Sequence, residues 1–287
     1  MSDAVEIKQL TKKFKLGWRR GTMTAVSNLD LTVSQGQVFG LLGPNGSGKS
    51  TTIKILLGLV SPTSGSASIF GQPCHKVETH RLIGYLPENP YFYHYLTGYE
   101  TLQFFGKLAG LSGKKLKDRC QELLELVGLA DGRQKRRLRG YSKGMLQRIG
   151  LAQALIHDPE ILFLDEPTAG VDPVGSREIR DMILTLKERG KTILLCSHLL
   201  EQVQEVCDHI CVLHSGKKIL DGKMEDLAPV HNRYSITFEG ITPENLKKIQ
   251  DQVALLGGNV LETGHPKTTL EKLFLEAVEK AGPSYES

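Results

Sequence analysis

A glycine-rich segment near residue 45 carries residue types that bind phosphate groups. It consists of Gly43, Pro44, Asn45, Gly46, Ser47, Gly48, Lys49 and Ser50. This run fits the pattern G-x-x-x-x-G-K-[ST], in which glycines let backbone N–H groups approach an anion and a helix start adds positive partial charge. Lys49 is expected to contact the β- and γ-phosphates, Ser50 to coordinate Mg²⁺ and Thr51 to add a hydroxyl. The segment therefore predicts a nucleoside triphosphate site, and a chance glycine turn is the weaker alternative.

A hydrophobic strand ends in two adjacent carboxylates in the second half of the chain. The apolar run Ile161–Leu164 is followed directly by Asp165 and Glu166. A buried strand carries charge only where it emerges, and ligands of open α/β sheets bind at that carboxyl edge. Neighbouring strand residues point to opposite faces of a sheet. We therefore expect Asp165 to bind Mg²⁺ and Glu166 to face the attacking water. The alternative is a charged strand end that meets solvent.

His198 follows another predicted strand, Thr192–Cys196, and would lie at the same edge of the sheet. An isolated histidine is more often a packing or surface residue than a catalytic one. Its place at the end of a second sheet strand favours a contact to the γ-phosphate, because imidazole can donate a hydrogen bond while it holds the reaction geometry.

The elements around these residues predict an α/β domain. A buried strand at Val38–Leu42 runs into the glycine-rich loop, and a helix is predicted over Ser50–Leu59. The strands at 161–164 and 192–196 are separated by a helix through Arg177–Glu188, which implies a mostly parallel sheet. Further strands are predicted at Val5–Lys8 and Leu29–Val33, with a hairpin formed by His209–Leu213 and Lys218–Leu220.

Two other regions differ in character from this sheet. Residues 88–158 are predicted to form a helical insert, with an amphipathic helix at Lys114–Leu126. The tail predicts a small separate α+β unit of strand, helix, strand and helix, at Tyr234–Phe238, Glu244–Leu255, Asn259–Glu262 and Thr269–Ala281. We therefore expect a large domain over residues 1–225 and a small one over 226–287.

Composition limits the function classes. The formal net charge is +4, from 36 basic and 32 acidic residues, which is too small to favour nucleic acid as a partner. No apolar run approaches the roughly 18 residues that a membrane-spanning helix needs. The five cysteines are scattered without a C-x-x-C pair, so we expect reduced, packed thiols rather than a metal site, as in cytosolic proteins.

One local run of charge remains open to interpretation. It contains Arg133, Lys135, Arg136, Arg137 and Arg139. A solvated loop is the plain interpretation of such a run. The functional alternatives are an electrostatic contact to a partner or to anionic lipid headgroups.

The segment after this run carries the most specific pattern, Tyr141-Ser142-Lys143-Gly144-Met145-Leu146-Gln147-Arg148. With the elements above in the same order, residues 5 to about 225 resemble the nucleotide-binding subunits of ATP-binding-cassette (ABC) transporters, whose signature loop is usually written LSGGQ. The serine lies 23 residues before Asp165, and a helix follows, as in that family. The resemblance implies a P-loop NTPase fold of the ABC type with a helical insert, and an Mg²⁺-dependent ATPase.

The family also implies a dimer and a membrane partner. Two subunits pack head to tail around two ATP, with Ser142 and the Gly144 amide of one reaching the γ-phosphate held by the other. Asp172 matches the family loop that crosses between subunits. The second subunit is another copy or a homologous cassette, and both serve a separate transmembrane permease at the cytoplasmic face of the membrane. The tail resembles those of cassettes that serve exporters.

The chain departs from the family pattern at several positions. Glu88 stands where the family usually has glutamine, and we expect it to contribute an oxygen to Mg²⁺. The signature loop has Lys143 for glycine and Met145 for glutamine. The aromatic residue that stacks on adenine is expected to be Phe14, with Trp18 as the runner-up and a core role for Phe14 as the alternative.

Seven of the 18 aromatic residues lie between residues 91 and 105. They are Tyr91, Phe92, Tyr93, Tyr95, Tyr99, Phe104 and Phe105. In the family this region receives a segment of the permease, and aromatic anchors suit such a contact. The equal alternative is that they fill the core of the helical insert.

Two other functions remain possible on the sequence. A soluble cassette acting in repair, translation or iron–sulfur assembly would lack a permease, but repair members carry a long coiled coil and translation members a second cassette. A scaffold that binds ATP without turnover is disfavoured by the presence of both Glu166 and His198.

Overall fold

The computed structural model describes residues 3–16, 21–227, 236 and 240–260. The chain divides into two compact units, residues 1–228 and residues 229–287. The first unit contains every residue to which the sequence assigned chemistry. Among the described residues, no helix combines the length and the apolar character needed to cross a membrane.

A six-stranded sheet forms the centre of the first unit. Its strands are β3 (Val38–Leu42), β6 (Ile83–Leu86), β7 (Ile161–Asp165), β8 (Thr192–Ser197), β9 (His209–His214) and β10 (Lys217–Lys223). They lie in the order β10-β9-β3-β8-β7-β6, and all neighbours are parallel except the β9–β10 hairpin. The predicted parallel sheet and hairpin are confirmed.

A second, antiparallel sheet has the order β2-β1-β4-β5. Its strands are β1 (Asp3–Lys15), β2 (Thr22–Ser34), β4 (Ser64–Ile69) and β5 (Gln72–Pro73). The first two are far longer than the sequence predicted, because their outer ends pair with each other beyond the alternating apolar stretches. Phe14 lies in this outer, paired part of β1, away from the core.

Helices flank the central sheet. They are α1 (Lys49–Leu56), α2 (Val77–His80), α3 (Gly98–Leu108), α4 (Gly113–Leu126), α5 (Lys143–Ala154), α6 (Pro173–Glu188), α7 (Leu200–Val206) and α8 (Met224–Leu227). The helix after the glycine-rich loop was predicted to reach Leu59 and ends at Leu56, since Gly58 adopts a left-handed conformation with φ +69°. Helix α6 begins at Pro173, earlier than predicted, because Asp172 caps it.

Helices α3, α4 and α5 lie between β6 and β7 in the chain and form the helical insert. Its two 3₁₀ turns span Arg133–Lys135 and Leu138–Gly140. The predicted amphipathic helix is α4, which buries Leu116, Cys120, Leu123 and Leu124. All five cysteines of the chain are unpaired and buried.

The central sheet separates two hydrophobic clusters. Alternate strand residues face opposite sides, so Leu162 and Leu164 pack with the helical insert while Phe163 packs with β1, β2 and α1. Asp165, two residues after Phe163, continues on the face toward α1. The strand alternation thereby directs the first carboxylate to the side of the glycine-rich loop.

The described part of the second unit contains α9 (Pro243–Leu255). Thr242 caps this helix and accepts a hydrogen bond from the Asn245 N–H, and the helix matches the predicted Glu244–Leu255 to within one residue. Of the predicted strand 234–238 only Ile236 is described. Asn259 and Val260 are not in a strand, and the predicted helix 269–281 lies outside the described residues.

Replacing Phe163 by alanine tests the packing beneath the carboxylates. The ring is fully buried at the centre of β7, so we expect Phe163→Ala to lower the free energy of unfolding by about 3–5 kcal/mol. The exposed Ile219 on β10 provides the control, and Ile219→Ala is expected to change it by less than about 0.5 kcal/mol. Urea unfolding followed by circular dichroism measures both, and equal midpoints for the two variants would contradict this packing.

Candidate functional site

The glycine-rich loop connects β3 to α1 at the carboxyl edge of the parallel sheet. Gly43 has φ +149°, and a Cβ there would lie 2.2 Å from the Leu213 carbonyl oxygen. Gly48, the residue before α1, has φ +110° and would place a Cβ 2.6 Å from the Ala25 carbonyl oxygen. Side chains are therefore excluded at both ends of the loop, and its backbone stays close to its neighbours.

The loop surrounds the side chain of Lys49. The Lys49 ammonium donates to the carbonyl oxygens of Gly43, at 2.5 Å, and Pro44, at 3.3 Å. Pro44, Asn45, Gly46 and Ser50 are exposed, whereas Ser47 is buried with a hydroxyl that has no hydrogen-bond partner. Thr51 is half-buried in the first turn of α1. A buried cation and an unpartnered donor at the mouth of a loop suit an incoming anion.

Three of the predicted residues meet at this edge. The Lys49 ammonium lies 3.8 Å from Glu166 Oε1, and His198 Nδ1 lies 2.9 Å from Glu166 Oε2. The Ser197 hydroxyl donates a weaker hydrogen bond of 3.4 Å to the same Oε2 atom. The ends of β3, β7 and β8 thus bring together a cation, a carboxylate and an imidazole that are distant in the chain.

Glu166 is held in an unusual backbone conformation. Its φ is +50°, in the left-handed region that residues other than glycine seldom adopt. Its N–H donates to the Cys196 carbonyl at 2.9 Å, and its carbonyl accepts from the Ala169 N–H. These bonds hold the chain at the turn after β7, and such strain recurs where a side chain must be aimed.

Asp165 is buried beside this group, and its Oδ1 atom has no hydrogen-bond partner. Burial raises the pKa of its carboxyl, and the negative charges of Glu166 and Glu88 raise it further, against the opposing effect of Lys49 and Lys54. The Oδ1 atom of this carboxylate therefore has no bonded partner to balance its negative charge. It is suited to a metal ion that contacts it together with Ser50.

The protein supplies few ligands of its own for such an ion. Among the described residues no group of three or more histidine, cysteine, aspartate or glutamate side chains could hold a metal. Magnesium ions that bind nucleotides typically use one or two protein oxygens and take the remaining ligands from phosphates and water. The Asp165 and Ser50 oxygens fit that pattern.

Glu88 lies in the exposed loop after β6, close enough for its charge to act on Asp165. Its backbone carbonyl accepts a 2.6 Å hydrogen bond from Gln147 Nε2. Gln147 is buried in α5, and the sequence analysis assigned it no role. The sequence shows Gln147 only as a polar residue on the apolar face of a helix. That pattern indicates a role for Gln147 only once its hydrogen-bond partner, Glu88, is known.

The signature loop and the Asp172 loop contact each other. Ser142 caps α5, with its hydroxyl accepting from the Met145 N–H at 3.3 Å, and Asp172 caps α6 by accepting from the Gly175 N–H at 2.9 Å. An added Cβ on Gly144 would lie 3.1 Å from Val171 Cγ1, so the two helix starts pack closely. Ser142 is exposed and faces away from the core.

These helix starts do not complete the site beside Lys49. Within the described part of the chain, no hydrogen bond or ion pair joins Ser142 or Asp172 to Lys49, Glu166 or His198. One chain therefore presents two separate groups of the predicted residues.

Phe14 lies at the outer end of β1, opposite Met23, and is half-buried. The Lys12 ammonium lies 4.9 Å from the centre of its ring. The ring is outside both hydrophobic clusters, which disfavours the core interpretation. Its contact with adenine stays a prediction, and Trp18 lies outside the described residues.

The structure divides the aromatic group at 91–105 between the two proposed roles. Phe92 is buried in the core of the insert, and Tyr99 and Phe105 pack against that core. Tyr91, Tyr93, Tyr95 and Phe104 are exposed. The group therefore contributes both to the core and to the surface.

The strand order, the loop geometry and the carboxylate pair define a P-loop ATPase. The sequence profile of the ABC transporter family matches residues 26–169. An ABC transporter ATP-binding protein of Nostoc sp. is 40% identical to this chain, over 96% of this chain and 90% of the relative. The chain belongs to the ABC transporter family, as the subunit that binds and hydrolyses ATP.

Other relatives and solved structures agree with this family assignment. A bacitracin transport ATP-binding protein of Bacillus licheniformis is 41% identical over 237 residues, which cover 82% of this chain and 74% of that protein. A dimeric ATP-binding cassette in a post-hydrolysis state, bound to ADP and Pi, superposes with a TM-score of 0.70 at 26% identity. The superposition covers 77% of this chain and 98% of the cassette, which confirms the predicted fold class.

Replacing Asp165 by asparagine tests the charge balance of the site. Because the folded-state pKa of Asp165 is raised, its ionised form costs stability at any pH above the ordinary aspartate pKa of about 3.9. Asp165→Asn is therefore expected to raise the melting temperature of the nucleotide-free protein at neutral pH.

The pH dependence provides the control. The gain should shrink as the pH falls toward the ordinary aspartate pKa, because both side chains are then neutral. The same variant should gain less thermal stability than the parent from Mg-ATP. Calorimetric melting curves measure these effects, and a nucleotide-free variant that melts below the parent at neutral pH would contradict the charge argument.

Proposed function

We propose that this chain binds Mg-ATP at residues 43–51, dimerises around two nucleotides and drives a separate membrane permease, most simply an exporter. The observation that carries the proposal is the convergence of Lys49, Glu166 and His198 at the carboxyl edge of the sheet. A buried ammonium marks the phosphate position, and a carboxylate held by an imidazole lies beside it. This is the arrangement that a water molecule attacking a γ-phosphate requires.

Glu166 is assigned as the general base. Its carboxylate is buried, and its Oε2 atom is oriented by His198 Nδ1 and the Ser197 hydroxyl. The strained turn aims it away from the strand, where it can accept the proton of the attacking water. His198 uses Nδ1 for this contact, so its Nε2 atom is the one available to a γ-phosphate. The tautomer follows from the partner of each nitrogen.

Asp165 and Ser50 are assigned as the protein ligands of Mg²⁺, with Glu88 as a further oxygen donor from the loop after β6. The ion, when bound, supplies charge that offsets the β- and γ-phosphate oxygens. Its charge would also oppose the burial and the repulsion from neighbouring carboxylates that together raise the pKa of Asp165. Glu88 is exposed, so it can approach or leave the site without rearranging the core.

The second subunit supplies the rest of the site. Ser142, the Gly144 amide and Asp172 lie at the starts of two helices, where backbone N–H groups and the helix dipole favour an anion. Since they do not contact Lys49 in their own chain, a second copy or a homologous cassette placed head to tail would bring them to its γ-phosphate. The dimeric cassettes among the solved relatives support this arrangement.

The membrane role rests on the relatives. One relative is a bacitracin transport ATP-binding protein, and another, from Cupriavidus metallidurans, is a Nod factor export ATP-binding protein, 40% identical over 72% of this chain and 69% of its own. The first name supports transport and the second supports export, and we place this chain on the cytoplasmic face of the membrane, held there by its permease. These transport names do not favour the alternative of a cassette acting in repair, translation or assembly.

The proposed domain division is 1–225 for the ATPase, with residues 88–158 as its helical insert, and 226–287 for the appendage. Every residue assigned to nucleotide or Mg²⁺ lies in the first part. The second part is proposed as an accessory unit, without a role in the chemistry.

Replacing Glu166 by glutamine tests the base and the dimer together. The amide keeps the shape of the side chain and can still accept from His198, but it cannot take a proton from water. We expect turnover to fall by at least about 100-fold while Mg-ATP still binds, so that ATP-loaded dimers accumulate. Phosphate release and gel filtration measure the two effects, and a variant that hydrolyses ATP at the parent rate would disprove the assignment.

Replacing Lys49 by alanine tests the phosphate site. The ammonium is the buried cation of the loop, so Lys49→Ala should lose nucleotide binding itself, by at least about tenfold in Kd. Titration with a fluorescent ATP analogue measures the affinity. Lys54→Ala, which removes a nearby charge from α1 outside the loop, is the control and should bind within a few-fold of the parent.

A further inference from the structure

The turn between β9 and β10 has a buried residue at its tip, although the tips of hairpins normally meet solvent. The turn consists of Ser215 and Gly216, and the flanking residues His214 and Lys217 pair with each other. Both turn residues have positive φ, +49° at Ser215 and +77° at Gly216, as in two-residue turns of type I′. Ser215 is exposed, whereas Gly216 is buried. Gly216 therefore packs against another part of the chain.

A backbone hydrogen bond joins Gly216 to the glycine-rich loop. The Gly216 N–H donates to the Ser47 carbonyl at 3.0 Å. This donor is not part of the β9–β10 ladder, whose first pair is Lys217 with His214. Ser47 lies directly before Gly48, at the end of the loop that leads into α1. The bond thus holds the loop at the point where its backbone enters the helix.

Strand β2 packs against the same turn. The Ser27 N–H donates to the Gly216 carbonyl at 2.8 Å. A Cβ added to Gly216 would lie 2.9 Å from the Ala25 carbonyl oxygen, and one added to Gly48 would lie 2.6 Å from the same oxygen. The Gly48 position would also be 3.6 Å from the Cα of Gly216. The turn, the loop and β2 are therefore packed backbone to backbone, and glycine is required at both positions.

The hairpin also borders the start of the glycine-rich loop. Strand β3 runs parallel to β9, with Leu42 opposite Val212. The next residue, Gly43, lies so close to the Leu213 carbonyl oxygen that a Cβ would be 2.2 Å from it. The end of the hairpin consequently contacts the loop both where it leaves β3 and where it enters α1.

The bond from Gly216 fixes the orientation of one peptide unit. A trans peptide is planar, so its C=O and its N–H point in opposite directions. Because the Ser47 carbonyl is directed at Gly216, the Gly48 N–H of the same peptide points away from the hairpin. Within the described part of the chain, this N–H has no hydrogen-bond partner. It is a free donor in a loop of backbone N–H groups, which suits an anion.

We propose that Gly216 is a positioning residue of the nucleotide site, whose N–H holds the Ser47–Gly48 peptide so that the Gly48 N–H faces the phosphates. This inference rests on the proposed function and adds to it a residue from outside the glycine-rich loop. Gly216 acts through Ser47 and does not itself bind the nucleotide. A loop that is held in its binding conformation loses less entropy when its ligand binds. The bond is therefore expected to raise the affinity for Mg-ATP and to leave the chemical step unchanged.

The plain alternative is that Gly216 only permits the turn. A type I′ turn favours glycine in any hairpin. It does not require a buried glycine that is bonded to two other segments. Gly190, which follows α6, provides the comparison, because its φ is +79° and an added Cβ would meet nothing within 4 Å. The two glycines share the backbone conformation, and only Gly216 contacts the loop.

Replacing Gly216 by alanine tests this inference. The added Cβ would lie 2.9 Å from a backbone oxygen, so the turn must shift relative to Ser47. We expect the Kd for Mg-ATP to rise on the order of tenfold, with kcat at saturating Mg-ATP within about twofold of the parent, because the turn does not touch Glu166 or His198. Gly190→Ala is the matched control: it should lower the melting temperature and leave the Kd unchanged. A fluorescent ATP analogue measures Kd, and phosphate release measures kcat.

Replacing the Gly216 amide by an ester removes the donor alone. Glycolic acid incorporated at position 216 by nonsense suppression puts an oxygen atom in place of the N–H and adds no side chain. We expect Mg-ATP binding to weaken by about three- to tenfold, as for the loss of one backbone hydrogen bond. The same change at Gly190 removes its bond to the Lys187 carbonyl and should leave the affinity unchanged. The ester decides the matter if Gly216→Ala does not fold.

The outcomes distinguish this inference from the proposed function. If the parent chain does not bind Mg-ATP, the proposed function fails and this inference fails with it. If the parent binds Mg-ATP and both Gly216 variants bind it equally well, the inference fails and the proposed function survives. A loss of affinity in Gly216→Ala without one in the ester would also overturn the inference, because the N–H would then have no part in it. An equal loss in Gly190→Ala would overturn it as well, since the affinity would then follow general stability.

Discussion

The structure depends on a charge imbalance at the carboxyl edge of its parallel sheet. Asp165 and Glu166 are adjacent, buried and negative, and the buried Lys49 ammonium lies 3.8 Å from Glu166. Burial and mutual repulsion raise the pKa of Asp165, and Lys49 turns to backbone carbonyls for its remaining bonds. In the proposed function, Mg-ATP would correct this imbalance, because its cation suits the acid and its phosphates suit the ammonium.

The fold maintains this charge imbalance, because moving the carboxylates apart would disrupt the packing of β7. Phe163 and Leu164 pack in two separate hydrophobic clusters on opposite faces of β7. This packing fixes the position of the two carboxylates at the end of the strand. The φ of +50° at Glu166 turns its side chain toward His198, and a backbone hydrogen bond to Cys196 holds the turn. Part of the stability of the hydrophobic core is thereby used to keep a reactive arrangement in place.

The helical insert connects this edge to the outside of the molecule. Its helix α5 begins at the exposed Ser142 and carries the buried Gln147, which bonds to the loop of Glu88. The same loop continues into exposed tyrosines, and its backbone is bonded to that of Leu138 and Arg139. A single compact element thus links the start of α5 to the exposed tyrosines of the loop after β6.

The sequence by itself determined the features that depend on local spacing. The glycine-rich loop, the Asp165–Glu166 pair, the parallel sheet, α4 and the family all followed from short patterns, because loops, strand ends and helix faces are set by neighbouring residues. Helix ends were less accurate: Leu57–Leu59 were predicted helical, but Gly58 ends α1 earlier.

Only the tertiary structure decided which distant residues meet. The contact of Glu166 with His198 depends on β7 and β8 being neighbours, and the bond of Gln147 to Glu88 depends on α5 packing beside β6. The division of the aromatic group into buried and exposed members, and the backbone bonds of its loop to Leu138 and Arg139, likewise arise from pairing between segments far apart in the chain. Such contacts are set by packing and topology, which local sequence patterns do not determine.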